Sequence, residues 1–426
     1  MGSAKSHGSG AAATKKVRLA YLVSHPIQYQ APLLRRIAQE PDIELTVLFG
    51  SDFSLRDYQD EGFGVQVKWD VPLLDGYRHK FLPVIRDNGT QTVTTPLNYG
   101  IYSVLRGSEG ERPYDVLWVH GYAMVNAMQG MLAAKALGIP VLIRGDMWLR
   151  DRPRSGPKLF AKALFFEVLK KLVDGVLTVG TLNAEYWRHH LGEEAQLFLM
   201  PYAVDNNYFQ QQSASAKAHR GELQRELALD PGRPVILFAS KLQQRKHCSD
   251  LLEAYRMLIA QEGGVRPYLV IVGDGEERLA LEKQAAENGL HDIRFCGFRN
   301  QSELPRFFDI ATVFVLPARH EPWGLIVNEV MNAARAVIVS DDIGCQPDLV
   351  TDGIEGCVYP VREVNALSAA LARVLRDPGT AEDMGRRGLA KIDTWSFEQD
   401  VAALRRAIAE VTRKPMLRST EQTIAL

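Results

Sequence analysis

His320-Glu321-Pro322-Trp323-Gly324-Leu325-Ile326-Val327-Asn328-Glu329 sets two glutamates on either side of a proline, a tryptophan and a glycine. Before it, residues 312–316 (Thr-Val-Phe-Val-Leu) form a β-branched, apolar run that predicts a buried strand. After it, Ile326, Val327, Val330, Met331 and Ala334 recur at helical spacing, and 336–339 reads as another strand. The stretch is therefore a turn from strand to helix. Amide N–H groups at a helix start lack partners and carry partial positive charge, so they suit an anion. Glu321 then lies in the loop and Glu329 on the helix, both able to accept from ligand hydroxyls. An anion beside hydroxyl-binding carboxylates is what a nucleotide-sugar requires. Spacing alone favours two solvated glutamates, and the neighbouring residues reverse that.

Glu-Pro-Trp-Gly-Leu at 321–325, with Asn-Glu-Val-Met-Asn-Ala at 328–333, resembles the E-x(7)-E signature of retaining glycosyltransferases of family 4. Trp323 stands where that family has phenylalanine. Pro322 removes one amide donor, which leaves the N–H groups of Trp323, Gly324 and Leu325. Ser240-Lys241-Leu242-Gln243-Gln244-Arg245-Lys246-His247 follows a predicted strand at 235–239 and resembles the family's Gly-Arg-Leu-x-x-x-Lys-Gly. Here Ser240 replaces the first glycine, Lys241 the arginine and His247 the last glycine. Lysine keeps the charge but loses the bidentate fork.

The resemblance implies an α/β protein of GT-B fold, with two Rossmann-like doubly wound domains facing a central cleft. It implies that Lys241 and Lys246 neutralise a diphosphate and that the amides of Trp323, Gly324 and Leu325 hold phosphate and sugar. Glu321 would take donor-sugar hydroxyls, Glu329 the ribose diol, and Gly297 and Phe298 the base. Ser240 and Gly273, at strand ends on the same edge, join the substrate-binding set. The family retains anomeric configuration by same-face attack, with the leaving phosphate taking the acceptor proton. A protein base is then not required.

At 426 residues the chain is long enough for two domains. Met200-Pro201-Tyr202-Ala203-Val204-Asp205 resembles the family's interdomain crossing. The expected division is a flexible tail at 1–14, an acceptor-side domain at 15–205, a donor domain at 206–395, and at 396–426 a helix crossing back to the first domain, then a tail. A composition 46% hydrophobic and 24% charged is globular, and a net charge of −1 leaves no footprint for nucleic acid. Cys248, Cys296, Cys345 and Cys357 form no C-x-x-C pair, which favours reduced thiols in the cytoplasm. No apolar run reaches the ~18 residues of a membrane span, and 1–14 lacks the apolar core of a signal peptide. The basic amphipathic segment 158–173 fits packing on a sheet, or peripheral contact with the inner face of a membrane.

In the first domain, strand 17–23, helix 32–39 and strand 43–49 open a doubly wound sheet. No Gly-x-Gly-x-x-Gly follows the first strand, which argues against a dinucleotide oxidoreductase. His25 and Gln28, just past that strand, are expected at the cleft, His25 as a substrate-binding residue. Residues 51–112 read as loops and a small insertion over the acceptor side. Strand 116–120 ends in His120 and strand 141–144 precedes Asp146. Asp146 stands where the resembled family has a histidine facing the reacting sugar, so Asp146 and His120 are both candidates for the chemistry. Alternate residues on a strand share a face, so Arg144 is expected to hold Asp146 ionised. Asp274-Gly275-Glu276 reads as a helix cap. Asp341-Asp342 lacks the spaced D-x-D of a metal-dependent transferase, and the resemblance places it near a bound sugar. No metal or cofactor is expected beyond the nucleotide-sugar co-substrate. The replaced histidine also leaves open a catalytically silent, nucleotide-sugar-binding subunit. Base, sugar and acceptor are not legible.

Overall fold

Short apolar runs alternating with amphipathic segments build two parallel sheets. The first holds β1 Val17–Val23, β2 Ile43–Phe49, β3 Arg78–Phe81, β4 Val116–His120, β5 Val141–Arg144, β6 Gly175–Thr178 and β7 Leu197–Leu199, in the order β7-β6-β5-β4-β1-β2-β3. The second holds β8 Val235–Ala239, β9 Tyr268–Val272, β10 Ile293–Phe295, β11 Val313–Leu316, β12 Ala336–Ser340 and β13 Gly356–Tyr359, in the order β10-β9-β8-β11-β12-β13. This computed structural model describes residues 16–416 except 57, 61, 108–109, 151–155, 262 and 415. The expectations for 1–14 and for the last residues of the chain lie outside them.

Helices cover both faces of each sheet, so β1, β8, β9 and β12 are buried along their whole length. That burial is why they read as continuous apolar runs, without alternation. Strand order reverses between β1 and β4 in the first sheet and between β8 and β11 in the second. In doubly wound sheets, ligands bind beyond the strand ends at these reversals. The loops that begin at Ser24, Gly121, Ser240 and Pro317 occupy those places.

Residues 51–112 are more ordered than their sequence suggests. β3 pairs with β2 in register Thr46↔Arg78 to Phe49↔Phe81 and becomes the sheet edge. It reads Arg-His-Lys-Phe, because an edge strand is half solvated and gains from charge. Tyr58–Asp60 with Val65–Val67, and Val84–Arg86 with Leu97–Asn98, form two small antiparallel ladders.

The helix Phe397–Thr412 follows the second sheet yet packs on the first domain. It starts in a capping box at Ser396 and Gln399. Arg405 pairs with Glu40 and, at 2.7 Å, with Asp42; Glu398 accepts from Arg36 at 3.0 Å. Asn206 donates to the carbonyls of Ile392 (3.0 Å) and Trp395 (3.3 Å), so the two chain crossings between domains run side by side.

Candidate active site

A cleft of about 390 Å³ lies between the two strand-order reversals, a size suited to a small ligand. Its wall on the second sheet starts where β11 gives way to the helix Leu325–Asn332. Gly324 caps that helix with φ +92°, and an added Cβ would stand 3.2 Å from Ile343 and from Leu316. Only glycine accepts both conditions. The loop is stitched to the one after β12: Gly344 N–H donates to Glu321 O at 2.9 Å and Cys345 N–H to Trp323 O at 3.0 Å. An added Cβ on Gly344 would fall 1.8 Å from Pro322 O, so this seam requires glycine too.

The acids at 341–342 serve that seam and not a sugar. Asp342 accepts from His320 N–H at 2.9 Å, and Asp341 from Val361 N–H at 2.9 Å. Neither lines the cleft. Trp323 lines the cleft although it is only 3% exposed, and its ring stacks on Trp395 at 5.8 Å. Its indole N–H donates to Asn328 Oδ1 at 3.0 Å, and Asn328 Nδ2 reaches Tyr202 O at 3.0 Å. A phenylalanine here would leave Asn328 Oδ1 without that donor. Gly324, Leu325 and Ile326 line the cleft, where the first amides of a helix find no partner within it.

Glu321 is the electrostatic centre. Its Oε2 accepts from Arg245 Nη1 at 2.6 Å and from Lys246 Nζ. The side chains of Glu321 and Lys246 are only 13% and 8% exposed. Burial would push the Glu321 carboxyl up, but the charges and hydrogen bonds of Lys246 and Arg245 outweigh it and hold it below its ordinary value. Burial likewise pulls the Lys246 ammonium down, against the opposing pull of Glu321. Lys241 lies 4.6 Å from the Phe63 ring centroid and also lines the cleft. Arg245 went unassigned in the sequence, although three cations in the six positions 241–246 are a visible signal.

The departures from the resembled lysine motif have local explanations. His247 has φ +50°, the left-handed conformation that glycine would take freely, and bonds Asp250 at 3.0 Å. Ser240 sits where its carbonyl would be 1.9 Å from any Cβ on Gly273. Gly273 N–H donates to Gly297 O at 2.8 Å. Gly297 therefore braces the turn from behind and does not line the cleft, whereas Phe298 does. Asp274 bonds Arg278 at 2.6 Å, as a helix-start acid should. Among the described residues, no group of three or more His, Cys, Asp or Glu is arranged to hold a metal ion.

The facing wall is made by His25, Gln28, Tyr29, Asp146 and Tyr202. His25 stacks on Phe53 at 4.5 Å and bonds Ser24 at 2.8 Å. Burial pushes its imidazole down to about 4, so it is neutral at pH 7. Two expectations fail here. β5 ends at Arg144, so strand alternation does not carry to Asp146. Arg144 donates instead to the carbonyls of Met200 (3.1 Å) and Pro201 (2.7 Å) and faces Asp400 at 3.4 Å. Burial raises the Asp146 carboxyl and the nearby Glu321 charge adds to the rise, while a backbone hydrogen bond and the Arg144 charge pull it down without reversing it. His120 does not reach the cleft wall. Its ring lies 3.0 Å from the Gln30 amide, itself held by Tyr21 OH at 2.6 Å, and burial pushes it down to about 3.

Glu329 lines the cleft and is 8% exposed, and its Oε2 has no hydrogen-bond partner. Burial pushes its carboxyl up to about 8, from an ordinary 4.5. The folded state keeps a proton that the unfolded chain loses, so stability falls as pH rises through that interval. Glu329→Gln removes the titration. The variant should melt several degrees above the parent at pH 9 and together with it at pH 4. Equal differences at both pH values would disprove the buried, protonated carboxyl.

With this geometry the chain can be set beside known proteins. Residues 219–391 match the family described as Glycosyl transferases group 1. Over 172 residues the chain is 31% identical to an alpha-D-kanosaminyltransferase of Streptomyces kanamyceticus, covering 40% of this chain and 44% of that one. It thus spans less than half the length of that relative. It is 25% identical over 328 residues to a D-inositol 3-phosphate glycosyltransferase of Streptomyces bingchenggensis, covering 73% of this chain and 70% of that one. The fold superposes on a sucrose-phosphate synthase from Thermosynechococcus elongatus with a TM-score of 0.66 at 18% identity, covering 93% of this chain and 100% of that one. The two sheets and the cleft between them make the GT-B fold, and within it residues 219–391 match the glycosyl transferases of group 1.

Proposed function

We propose that the cleft transfers a sugar from a nucleotide-sugar to an acceptor hydroxyl, with retention of configuration and without a metal ion. The observation that carries this reading is Glu321 held between Lys246 and Arg245 beside a helix start open to the cleft. The acceptor oxygen attacks the anomeric carbon on the face the diphosphate leaves, the anomeric C–O bond to diphosphate breaks, and the departing phosphate takes the acceptor proton. Negative charge grows on that phosphate. Lys241, Arg245, Lys246 and the amides of Gly324 and Leu325 are fixed where they can stabilise it, with no reorganisation at the moment of reaction. Glu321 takes donor-sugar hydroxyls and Glu329 the ribose diol. Glycan, polysaccharide or glycolipid synthesis in the cytoplasm suits such a donor. A silent binding subunit is the competing reading, and detectable transfer or donor hydrolysis separates the two.

A membrane-surface role for the helix Gly156–Leu172 belongs to the same reading. Phe166, Leu169 and Leu172 pack inward, while Leu159, Phe160, Leu164 and Val168 are 53%, 74%, 60% and 46% exposed. Lys170 and Lys171 close the helix. An apolar stripe with basic ends fits an anionic bilayer surface. No helix among the described residues is long and apolar enough to cross a membrane.

Transfer should persist in excess EDTA. Glu321→Gln and Lys246→Ala should each lower kcat/KM at least ~100-fold, the scale of losing one electrostatic stabiliser, whereas Glu329→Gln should act mainly on donor KM, because the ribose does not react. Activity abolished by EDTA and restored by Mg²⁺ or Mn²⁺ sinks the metal-free mechanism, and full turnover in Glu321→Gln removes its role.

Asp146 is assigned the acceptor hydroxyl. Asp146→Asn should slow single-turnover transfer at least ~100-fold, with donor Kd and Tm unchanged. A normal single-turnover rate takes Asp146 out of the chemistry.

For the exposed stripe, the protein should float with vesicles containing phosphatidylglycerol, and Phe160→Glu/Leu164→Glu should remain in the soluble fraction. Flotation of parent and variant alike, or of neither, overturns the membrane contact.

A further inference from the structure

The ladder Tyr58–Asp60/Val65–Val67 belongs to the first domain, yet the turn between its strands and the residues just after it rest on the second. Phe63 meets Phe298 edge-on, with ring centroids 4.7 Å apart, and its face takes the Lys241 ammonium at 4.6 Å. Asn300 Nδ2 donates to Lys68 O at 2.7 Å, and Ser302 bonds Asp70 through both its hydroxyl and its amide. The turn comes so close that a Cβ on Gly275 would stand 3.0 Å from Gly62 O. Phe63 and Trp69 both line the cleft. A segment from the acceptor-side half thus forms part of the wall at the donor end.

We propose that Phe63 is a nucleobase-stacking residue, supplied across the cleft by the opposite domain. The inference rests on the nucleotide-sugar reading above. An edge-on pair of phenyl rings encloses no slot. A planar base entering beside Phe298 displaces the Phe63 ring from it and gains an aromatic face of its own. The bonds at Asn300 and Ser302 keep the segment docked while the ring turns. Phe63 also covers Lys241, so the same side chain borders the base and the first phosphate. Every base has a π-face, so Phe63 adds affinity for any base and disfavours diphosphates that carry none.

Calorimetry with UDP, GDP, ADP, dTDP and inorganic pyrophosphate tests this on the full chain. For whichever nucleoside diphosphate binds best, Phe63→Ala should raise Kd at least ~10-fold, the lower range of base–aromatic stacking. Pyrophosphate should bind the variant within about twofold of the parent, because it has no base to stack. Phe63→Tyr should restore binding, and it guards against a folding defect in the alanine variant. Equal losses for pyrophosphate and nucleoside diphosphate overturn the proposal, since Phe63 would then act through Lys241. Unchanged or tighter nucleoside diphosphate binding by Phe63→Ala also overturns it. If the parent binds no nucleoside diphosphate, the nucleotide-sugar reading falls and this inference falls with it.

Discussion

A carboxylate removed from water must be met by cations, and in this protein that requirement fixes the donor half of the cleft. Glu321 is nearly buried, and a lone buried carboxylate is too costly to keep charged. Arg245 and Lys246 meet it, which locks the turn after β8 against the loop after β11. The seam from Glu321 and Trp323 to Gly344 and Cys345 then ties in the loop after β12. Three strand ends become one rigid wall before any ligand arrives. Glu321 opposes part of the desolvation of Lys246, and the cations are held in place by it without rearranging. Such preorganisation is the largest general source of electrostatic catalysis.

What could be read from sequence was what the backbone demands locally. Gly324 needs a left-handed conformation, the helix start needs free amides, and strands buried on both faces need unbroken apolar runs. All three leave marks within a few residues. The fold class and the two flanking glutamates were legible for this reason. Arg144 was misread because its partners are Met200, Pro201 and Asp400, the last 256 positions away. Periodicity carries no information about such contacts. β3 was missed because a charged edge strand lacks the apolar run that announces a strand. His120 was legible as a strand end, but its bond to Gln30 depends on how the loop after β1 folds back. Phe63 could not be singled out, since its neighbours Lys241 and Phe298 lie in the other domain.

The substitutions at the lysine motif each make a local contact of their own. His247 adopts the backbone angle that glycine would, and its ring bonds Asp250, where glycine would offer nothing. Trp323 in place of phenylalanine adds an indole donor for Asn328, which in turn holds the carbonyl of Tyr202 in the interdomain crossing. One residue thereby joins the ligand-facing loop to the connection between domains.

The paired crossings have a mechanical consequence. A single connecting strand would let the two halves swivel freely. Here Asn206 bridges both connections, reaching Ile392 and Trp395, and its own side-chain oxygen accepts from Asn332 at 2.9 Å. Two tethers fastened together behave like a door hinge: they permit rotation about the line that joins them and resist twist about the chain axis. Across the cleft, by contrast, Asn300 with Lys68 and Ser302 with Asp70 are exposed polar contacts that water can replace. Any change in the angle between the halves is thereby confined to one path and returns residues from two domains to the same register.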